Sequence, residues 1–494
     1  MRPSHILLAA VLSAGGSIPA IAAPGDSPIC RSDWLEQRIP ASIGDPAMGP
    51  AMDALRAAFA KGHPAAKPTL AWDHSAQSRA IGALMYERAD LAPITRDFGP
   101  AELAPYEHQF RGDMIKAPFT VRIGTVNGAP ALLAMNRRPD SPLPARITDF
   151  VRFALSPAGQ AVLAQVKGFT TLAPEAAARE ASRLDGFVAP LSPALGNYVP
   201  VPGLSGVIAS DGSDGMKDLI DGWMCRFVAL QPLVRKGSRW EHLGTLNGFH
   251  AMINQEADMA PMGRELWPSE RADWQETTGT PAPVEIAVAR GGFNTPQRTT
   301  AQAIFVHPDN PLRRISLDQF RAIFGKGGQP ITRWGQLGLT GAWADRPIHV
   351  RMPPHVTPNA MSMQINVLKG TSWTDGAVEA PYADTAKAIL ADPAAIGFGG
   401  LEEGAPGLVP LAVAGDDGQP VELNALNVST GRYPLPRLMY IRLAPGKPAP
   451  QTVAFLRYIL SREGQERVRY SGYFPLTAPE AQRELALLDS LAKP

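Results

Sequence analysis

The chain has 494 residues, of which 45% are hydrophobic and 19% are charged. That apolar fraction excludes a disordered protein, and the length suits two or three domains rather than one. The 47 Lys and Arg residues balance the 46 Asp and Glu residues, leaving a net charge of +1. A broadly basic, nucleic-acid-binding surface is therefore not expected.

The first segment of the chain has the pattern of a secretory signal peptide. Arg2 provides a positive start, residues 6–21 are mostly apolar, and Ala20-Ile21-Ala22 forms an A-x-A cleavage pattern. Nothing downstream approaches the run of ~20 apolar residues that a spanning helix needs. We therefore predict export to the periplasm, with no membrane span in the mature chain.

Only two cysteines occur, Cys30 and Cys225. Export permits a disulfide between them, but spacing alone leaves both the bridged and the free form open. Two cysteines without histidines at metal-ligand spacing do not make a zinc site.

An internal repeat organises the rest of the chain. Trp72-Asp73-His74 matches Trp240-Glu241-His242, and the segment 89–93 matches 257–261, both with an offset of 168 residues. A second block, in which 150–152 matches 455–457 and 159–160 matches 464–465, has an offset of 305 residues. The difference between the two offsets (305 minus 168) implies an insertion of about 137 residues in the second copy only.

A lobe interrupted by a second lobe is the topology of a two-lobed binding protein. A duplicated structural domain with an unrelated insertion is the alternative. The predicted divisions are a signal peptide (1–23), a degenerate single-lobe repeat (24–185) and a linker (186–203). The first segment of lobe 1 (204–290), lobe 2 (291–432) and the second segment of lobe 1 (433–494) follow.

Three places in the second copy have the strand–turn–helix pattern that predicts an α/β sheet with anion sites at helix N-termini. They surround Ser213-Asp214, residues 245–248 and Thr357-Pro358. Arg351 lies six residues before Thr357 and could offer a bidentate fork to an oxyanion. Taken alone, each hydroxyl or Asp is explained better by ordinary helix capping than by ligand contact, and only their convergence in one cleft would favour a ligand site.

Patterns of catalysis are missing from the sequence. It contains no H-E-x-x-H metal motif, G-x-S-x-G elbow, P-loop or dinucleotide fingerprint. We therefore predict no enzymatic activity, no catalytic residues, no metal and no cofactor.

The second half resembles the phosphate-binding protein of ABC phosphate importers, within the type II periplasmic binding proteins. The resemblance covers about residues 203–480. Its motifs include Gly212-Ser213-Asp214, Leu317-Asp318-Gln319-Phe320 and Tyr433-Pro434-Leu435-Pro436-Arg437, together with the segments 257–264, 460–465 and 472–476. The resemblance implies an α/β, two-lobed type II fold over about residues 203–494, preceded by a reduced one-lobe repeat of the same fold.

The resemblance also implies a ligand site. It puts Ser213, Asp214 and Gly215 on the first ligand loop, Thr245 on an oxyanion-holding serine, Arg351 on the anion-binding arginine and Thr357 on the hydroxyl at a helix start. Gly263 and Arg264 fall on the second loop. Taken together, the expected ligand-binding residues are Ser213, Asp214, Gly215, Thr245, Gly263, Arg264, Arg351 and Thr357.

The sequence departs from the family where the ligand's proton is accepted. The family has an aspartate on each of the second and third loops, and here those positions hold Gly263 and Pro353. Where the family has a Ser-Gly pair, this sequence has His355-Val356. These side chains are bulkier at a place where the backbone must approach the ligand. Phosphate, another oxyanion, an organophosphate or no ligand at all remain open.

The expected function is capture of a small anion, phosphate or a similar oxyanion, between two lobes and its delivery to an ABC permease. The alternative is an envelope interaction or scaffold protein that kept the fold and lost the site. A phosphate-ester hydrolase would require a metal cluster or a nucleophile–base pair that the sequence does not provide.

Overall fold

The computed structural model describes residues 38–109, 117–137, 142–185, 191–293, 299–401 and 407–492. The predicted signal peptide and Cys30 lie outside these ranges. Within them, no helix combines the length and the apolar character needed to cross a bilayer.

The N-terminal segment, residues 38–185, is a small α/β unit. Its strands stand in the order β6-β4-β5-β3, and a parallel pair, β1 and β2, joins β3 through a bridge between Ser42 and Leu91. Its elements are β1 (Ser42–Ile43), α1 (Gly49–Gly62), β2 (Trp72–Asp73), α2 (Ala80–Met85), β3 (Ala92–Ile94), α3 (Pro100–Gln109), β4 (Phe119–Val126), β5 (Ala129–Met135), α4 (Ala145–Leu155), α5 (Pro157–Leu163), β6 (Phe169–Thr171) and α6 (Pro174–Ser182).

Lobe 1 is the part of the chain that forms the five-stranded sheet β10-β19-β9-β7-β8, in which β19 (Leu438–Leu443) comes from a later part of the chain. Strand β7 runs parallel to β8 and β9, whereas β19 is antiparallel to both β9 and β10. Its elements are β7 (Ser205–Ser210), α7 (Lys217–Leu230), β8 (Leu233–Trp240), α8 (Thr245–Ile253), β9 (Met259–Met262), α9 (Pro268–Thr278) and β10 (Glu285–Arg290).

Lobe 2 follows β10 and has its own five-stranded sheet, β14-β13-β15-β11-β16, and a small three-stranded sheet, β12-β17-β18. Its elements are β11 (Gln302–Val306), β12 (Arg314–Ser316), α10 (Leu317–Phe324), β13 (His349–Met352), α11 (Pro358–Ser362) continued by a π-helical turn (Met363–Val367), β14 (Val378–Glu379), α12 (Tyr382–Leu390), β15 (Ala395–Gly400), β16 (Val409–Pro410), β17 (Ala412–Ala414), β18 (Pro420–Val421) and α13 (Ala425–Ser429).

The chain then returns to lobe 1, so that it crosses between the two lobes twice. The returning elements are β19 (Leu438–Leu443), α14 (Pro450–Leu460), α15 (Arg462–Val468) and α16 (Ala478–Ala492). The two lobes have separate apolar cores. Trp223 and Phe227 of α7 pack with Phe455 of α14 in lobe 1, and Phe320 and Phe324 of α10 pack with Phe398 of β15 in lobe 2.

The segment predicted to be a linker is packed against lobe 1 along residues 191–203. Leu191 and Leu195 are buried in the core of lobe 1, and the Tyr198 ring packs edge-on against Tyr458. The Tyr198 backbone N–H also donates to the carboxylate of Glu463 at 2.8 Å. The abundance of Ala and Pro in this segment is the basis of the predicted linker, and its apolar side chains contact the core of lobe 1.

Helix α7 carries Cys225, which is disulfide-bonded. The only other cysteine in the chain is Cys30, which belongs to the N-terminal residues outside the described ranges.

Candidate functional site

The first loop of the candidate site follows β7 and is held against β9. The Ser213 N–H donates to the carbonyl of Pro261 at 2.8 Å. Gly212 allows this approach, because a Cβ at that position would lie 2.3 Å from the same carbonyl oxygen. Ser213 is 8% exposed and begins a 3-10 turn without capping it through its hydroxyl. The hydroxyl therefore stays available at the edge of the sheet.

The second structure at this edge is the N-terminus of α8, which starts at Thr245. Helix α8 packs on the first loop so closely that a Cβ at Gly248 would lie 2.5 Å from the carbonyl oxygen of Asp211. The residue before the helix is Gly244, with φ of 149°, and no side chain caps the helix. The free N–H groups and the partial positive charge of this helix start therefore lie beside the loop that carries Ser213.

The third structure is Gly263, directly after β9. Its carbonyl accepts hydrogen bonds from the Thr299 hydroxyl at 3.2 Å and from Arg437 at 3.1 Å. A Cβ at Gly263 would meet the Thr299 hydroxyl at 2.8 Å. Glycine here thus allows the connection between the lobes to lie against the loop of lobe 1.

A buried arginine, Arg437, which is not among the predicted ligand-binding residues, joins the lobes at this point. The Arg437 side chain is 3% exposed and donates to Asn359 of α11 at 2.5 Å as well as to Gly263. It also lies 3.6 Å from the carboxylate of Glu265, whose other oxygen accepts from Asn366 of lobe 2 at 2.8 Å. Gly263, Glu265 and Arg437 therefore connect lobe 1 to the α11 region of lobe 2.

The residues expected to bind the anion from lobe 2 are engaged with their own lobe. The Thr357 hydroxyl donates to the carbonyl of Pro354 at 2.7 Å, as does the Thr357 N–H at 2.8 Å. Arg351 is one quarter exposed and stands 3.7 Å from Asp392. Its Nε atom is buried without a hydrogen bond, so part of the guanidinium is still unsatisfied.

Two histidines adjoin these residues. His349 pairs with Asp392 at 2.6 Å, and His355 pairs with Glu379 at 2.9 Å. Burial raises the pKa of Asp392, but the hydrogen bonds from His349 and Ala394 and the charges of His349 and Arg351 outweigh it, so this pKa lies below its ordinary value. Glu379 also accepts from the His355 backbone N–H at 3.3 Å.

The remaining residues expected in the site have other contacts. Arg264 is 7% exposed at its side chain and forms a two-pronged ion pair with Glu270 at 2.6 and 2.7 Å. Asp214 is exposed and accepts from the Gly215 N–H at 2.9 Å. Gly215 accepts from the Tyr473 hydroxyl at 2.9 Å. Ser213, Thr245 and Gly263 are thus brought together, while Arg264 faces Glu270.

Across the described ranges, no group of three or more His, Cys, Asp and Glu side chains could hold a metal ion.

Comparison with known proteins fits this architecture. A model of the PBP superfamily domain matches residues 201–463. The phosphate-binding protein PstS of Pseudomonas aeruginosa (strain PAO1) is 30% identical over 309 residues, which cover 60% of this chain and 92% of that protein. The chain therefore belongs to the PBP superfamily and, within it, to the family of PstS phosphate-binding proteins.

Solved structures of similar proteins match over the same share of the chain. An ABC-type phosphate transport receptor from Vibrio cholerae has 19% identity and a TM-score of 0.37, with 55% of this chain and 100% of that chain covered. A putative phosphate ABC transporter substrate-binding protein with bound phosphate, from Clostridium perfringens, has 20% identity and a TM-score of 0.34, with 55% and 100% covered.

Proposed function

We propose that the protein is an exported receptor that binds phosphate or a similar oxyanion between lobes 1 and 2 and delivers it to an ABC permease. The observation that carries the proposal is the convergence of Ser213, the start of α8 at Thr245, and Gly263 at one edge of the lobe 1 sheet. Membership of the PstS family supports phosphate as the ligand. The route of export follows the predicted signal peptide, and no chemistry on the ligand is assigned.

In this proposal, lobe 1 provides the helix start and the Ser213 hydroxyl, and lobe 2 provides Arg351 and Thr357. Among the described residues, the contact of Arg351 with Asp392 is a long one of 3.7 Å, so a dianion can draw the guanidinium away from that carboxylate. Thr357 would turn its hydroxyl from Pro354 toward the ligand. Closure of the two lobes about the double crossing would bring these groups together.

A second function, a scaffold without a ligand, is favoured by one specific observation. In lobe 2, Thr357 donates to Pro354, and the His355 N–H donates to Glu379. Donors that the anion would need are therefore satisfied inside the lobe. The scaffold hypothesis predicts that no small anion changes the stability of the protein.

The test is thermal unfolding of phosphate-free protein in the presence of phosphate, arsenate or sulfate. A ligand at one hundred times its dissociation constant adds about 2.7 kcal/mol to the stability of the native state. We expect a saturable rise in Tm with phosphate and its loss in Arg351→Ala. Arg346→Ala is the matched control, because Arg346 is exposed and stacks on Trp343 at 4.5 Å. No rise with any anion would favour the scaffold.

A further inference from the structure

Contacts in the N-terminal segment recur in lobe 1 at positions 168 residues later. The Ser42 hydroxyl meets His74 at 2.9 Å, and the Ser210 hydroxyl meets His242 at 3.0 Å. In the same way, the Ala41 N–H donates to Asp90 at 2.8 Å, and the Ala209 N–H donates to Asp258 at 2.7 Å. Matching side chains with matching partners indicate one local structure occurring twice.

The strand order recurs as well. In the N-terminal segment β4, β5, β3, β1 and β2 stand side by side, and in lobe 1 the order is β10, β19, β9, β7 and β8. The difference lies between β4 and β5, which are joined only by Asn127 and Gly128, both with positive φ (50° and 84°). Such a two-residue turn is typical of a β-hairpin. In lobe 1 the same place is occupied by the whole of lobe 2.

The three lobe 1 positions of the proposed anion site correspond to Asp45, Gln77 and Thr95. In the N-terminal segment these side chains contact each other directly. The Thr95 hydroxyl lies 2.5 Å from the Asp45 carboxylate and 3.1 Å from the Gln77 amide oxygen. The other oxygen of Asp45 accepts from the Ala47 N–H at 2.8 Å, where a short helix begins.

We propose that the N-terminal segment is a second copy of lobe 1 in which the carboxylate of Asp45 occupies the anion position. Asp45 is 9% exposed and, like a bound oxyanion, it accepts from a helix-start N–H and from a hydroxyl. Lobe 1 has Ser213 at the same place, whose short side chain leaves room for an external anion. The location of the anion position rests on the proposed function.

It follows that the chain holds one anion rather than two. The N-terminal copy carries its own negative group and has a hairpin instead of a second lobe, so no external oxyanion can be enclosed there. The N-terminal copy would then be a structural unit whose anion position is always occupied by its own Asp45 carboxylate.

The experiment uses the full chain with Arg351→Ala, which the proposed function expects to abolish binding between the lobes. In this background we compare Asp45, Asp45→Ser and Asp45→Asn by hydrogen exchange of the peptides that cover residues 42–98. The probe is inorganic phosphate or sulfate at tens of millimolar, with ionic strength held constant by chloride. Asp45→Asn is the matched control, since its amide fills the same space without charge.

We expect phosphate or sulfate to slow exchange in these peptides at least threefold in Asp45→Ser and to leave the Asp45 and Asp45→Asn chains unchanged. Anion-dependent protection with Asp45 in place, or none in Asp45→Ser, would overturn the proposal. If Asp45→Ser does not fold, equilibrium dialysis of labelled phosphate decides: one equivalent is expected for the natural sequence and none for Arg351→Ala. A second equivalent that persists in Arg351→Ala would refute the proposal.

These outcomes separate the two proposals. A natural chain that binds no phosphate contradicts the proposed function, yet protection by anions in Asp45→Ser would still be measurable. Conversely, phosphate binding between the lobes with no protection in Asp45→Ser would contradict only the proposal for the N-terminal copy.

Discussion

At the scale of single residues, burial determines the protonation state of His242. The ring is 0% exposed, and desolvation lowers its pKa to about 4 from the ordinary 6.5. Below pH 6.5 His242 binds a proton in the unfolded chain but stays neutral in the native state. The free energy of unfolding therefore falls as the pH drops toward 4. The expected loss is about 3 kcal/mol, from roughly 1.4 kcal/mol per pH unit.

The measurement is urea unfolding of the natural sequence and of His242→Asn between pH 7 and pH 4. Asparagine tolerates the left-handed backbone that His242 adopts, with φ of 57°. The variant should lose stability less steeply with acid. Equal slopes in the two proteins would contradict the assignment to His242.

Sequence patterns located some residues of the candidate site and not others, for a physical reason. Ser213 and Thr245 follow short strands, and a strand–turn–helix pattern is local, so neighbouring residues reveal it. Arg437 could not be recognised in this way, because its partners Gly263, Glu265 and Asn359 come from distant segments. Its only sequence signal was its place at the end of a family motif.

At the scale of elements, the same ion pair fixes the start of two helices in different surroundings. Arg264 lies before α9 and pairs with Glu270 in its first turn, and these side chains are 7% and 2% exposed. Arg96 and Glu102 form the equivalent pair at the start of α3, where the side chains are 56% and 25% exposed. Removing one partner of a buried pair leaves an uncompensated charge and costs about 3–5 kcal/mol. An exposed pair contributes about 1 kcal/mol or less.

We therefore expect Arg264→Ala to destabilise the protein by several kcal/mol and Arg96→Ala, its internal control, by no more than about 1 kcal/mol. Urea unfolding followed by circular dichroism, with each transition fitted separately, checks the difference. Similar losses in the two variants would show that burial does not control the strength of this pair. A loss of phosphate binding in Arg264→Ala without a loss of stability would return Arg264 to the ligand site.

At the same scale, the hairpin between β4 and β5 was present in the sequence but was not predicted. Asn-Gly between apolar runs is a strong local signal for a tight turn. The repeat offsets implied only that about 137 residues are absent from the predicted first copy, and they did not indicate what joins its strands. Local turn chemistry supplies that information, since Asn127 and Gly128 both adopt positive φ.

At the scale of the whole molecule, the sequence predicted two lobes from the difference between two offsets, and the structure has two five-stranded sheets with a double crossing. The contacts between the lobes were beyond sequence reasoning. Glu265 of lobe 1 and Asn366 of lobe 2 are 101 residues apart in the chain, and no sequence pattern links the two positions. Only the folded arrangement brings them together.

The bond from Asn366 to Glu265 stabilises the arrangement in which the lobes are in contact. Asn366→Ala removes this donor and leaves the nearly buried carboxylate of Glu265 with Arg437 at 3.6 Å. A hydrogen bond to a charged group contributes about 1.5–3 kcal/mol, which corresponds to a shift of roughly tenfold or more toward separated lobes. In the proposed function the anion is enclosed between the lobes, so the Kd for phosphate should rise as well, by at most the same factor.

Small-angle scattering with and without phosphate, together with calorimetric titration, tests this expectation. The variant should have a larger radius of gyration than the natural sequence without phosphate and should recover the compact form when phosphate is saturating. Gln364→Ala is the control, because Gln364 lies on the same turn but donates within lobe 2, to Thr371 at 3.3 Å. If Asn366→Ala and Gln364→Ala both matched the natural sequence in radius and Kd, the contact between Asn366 and Glu265 would have no part in closure.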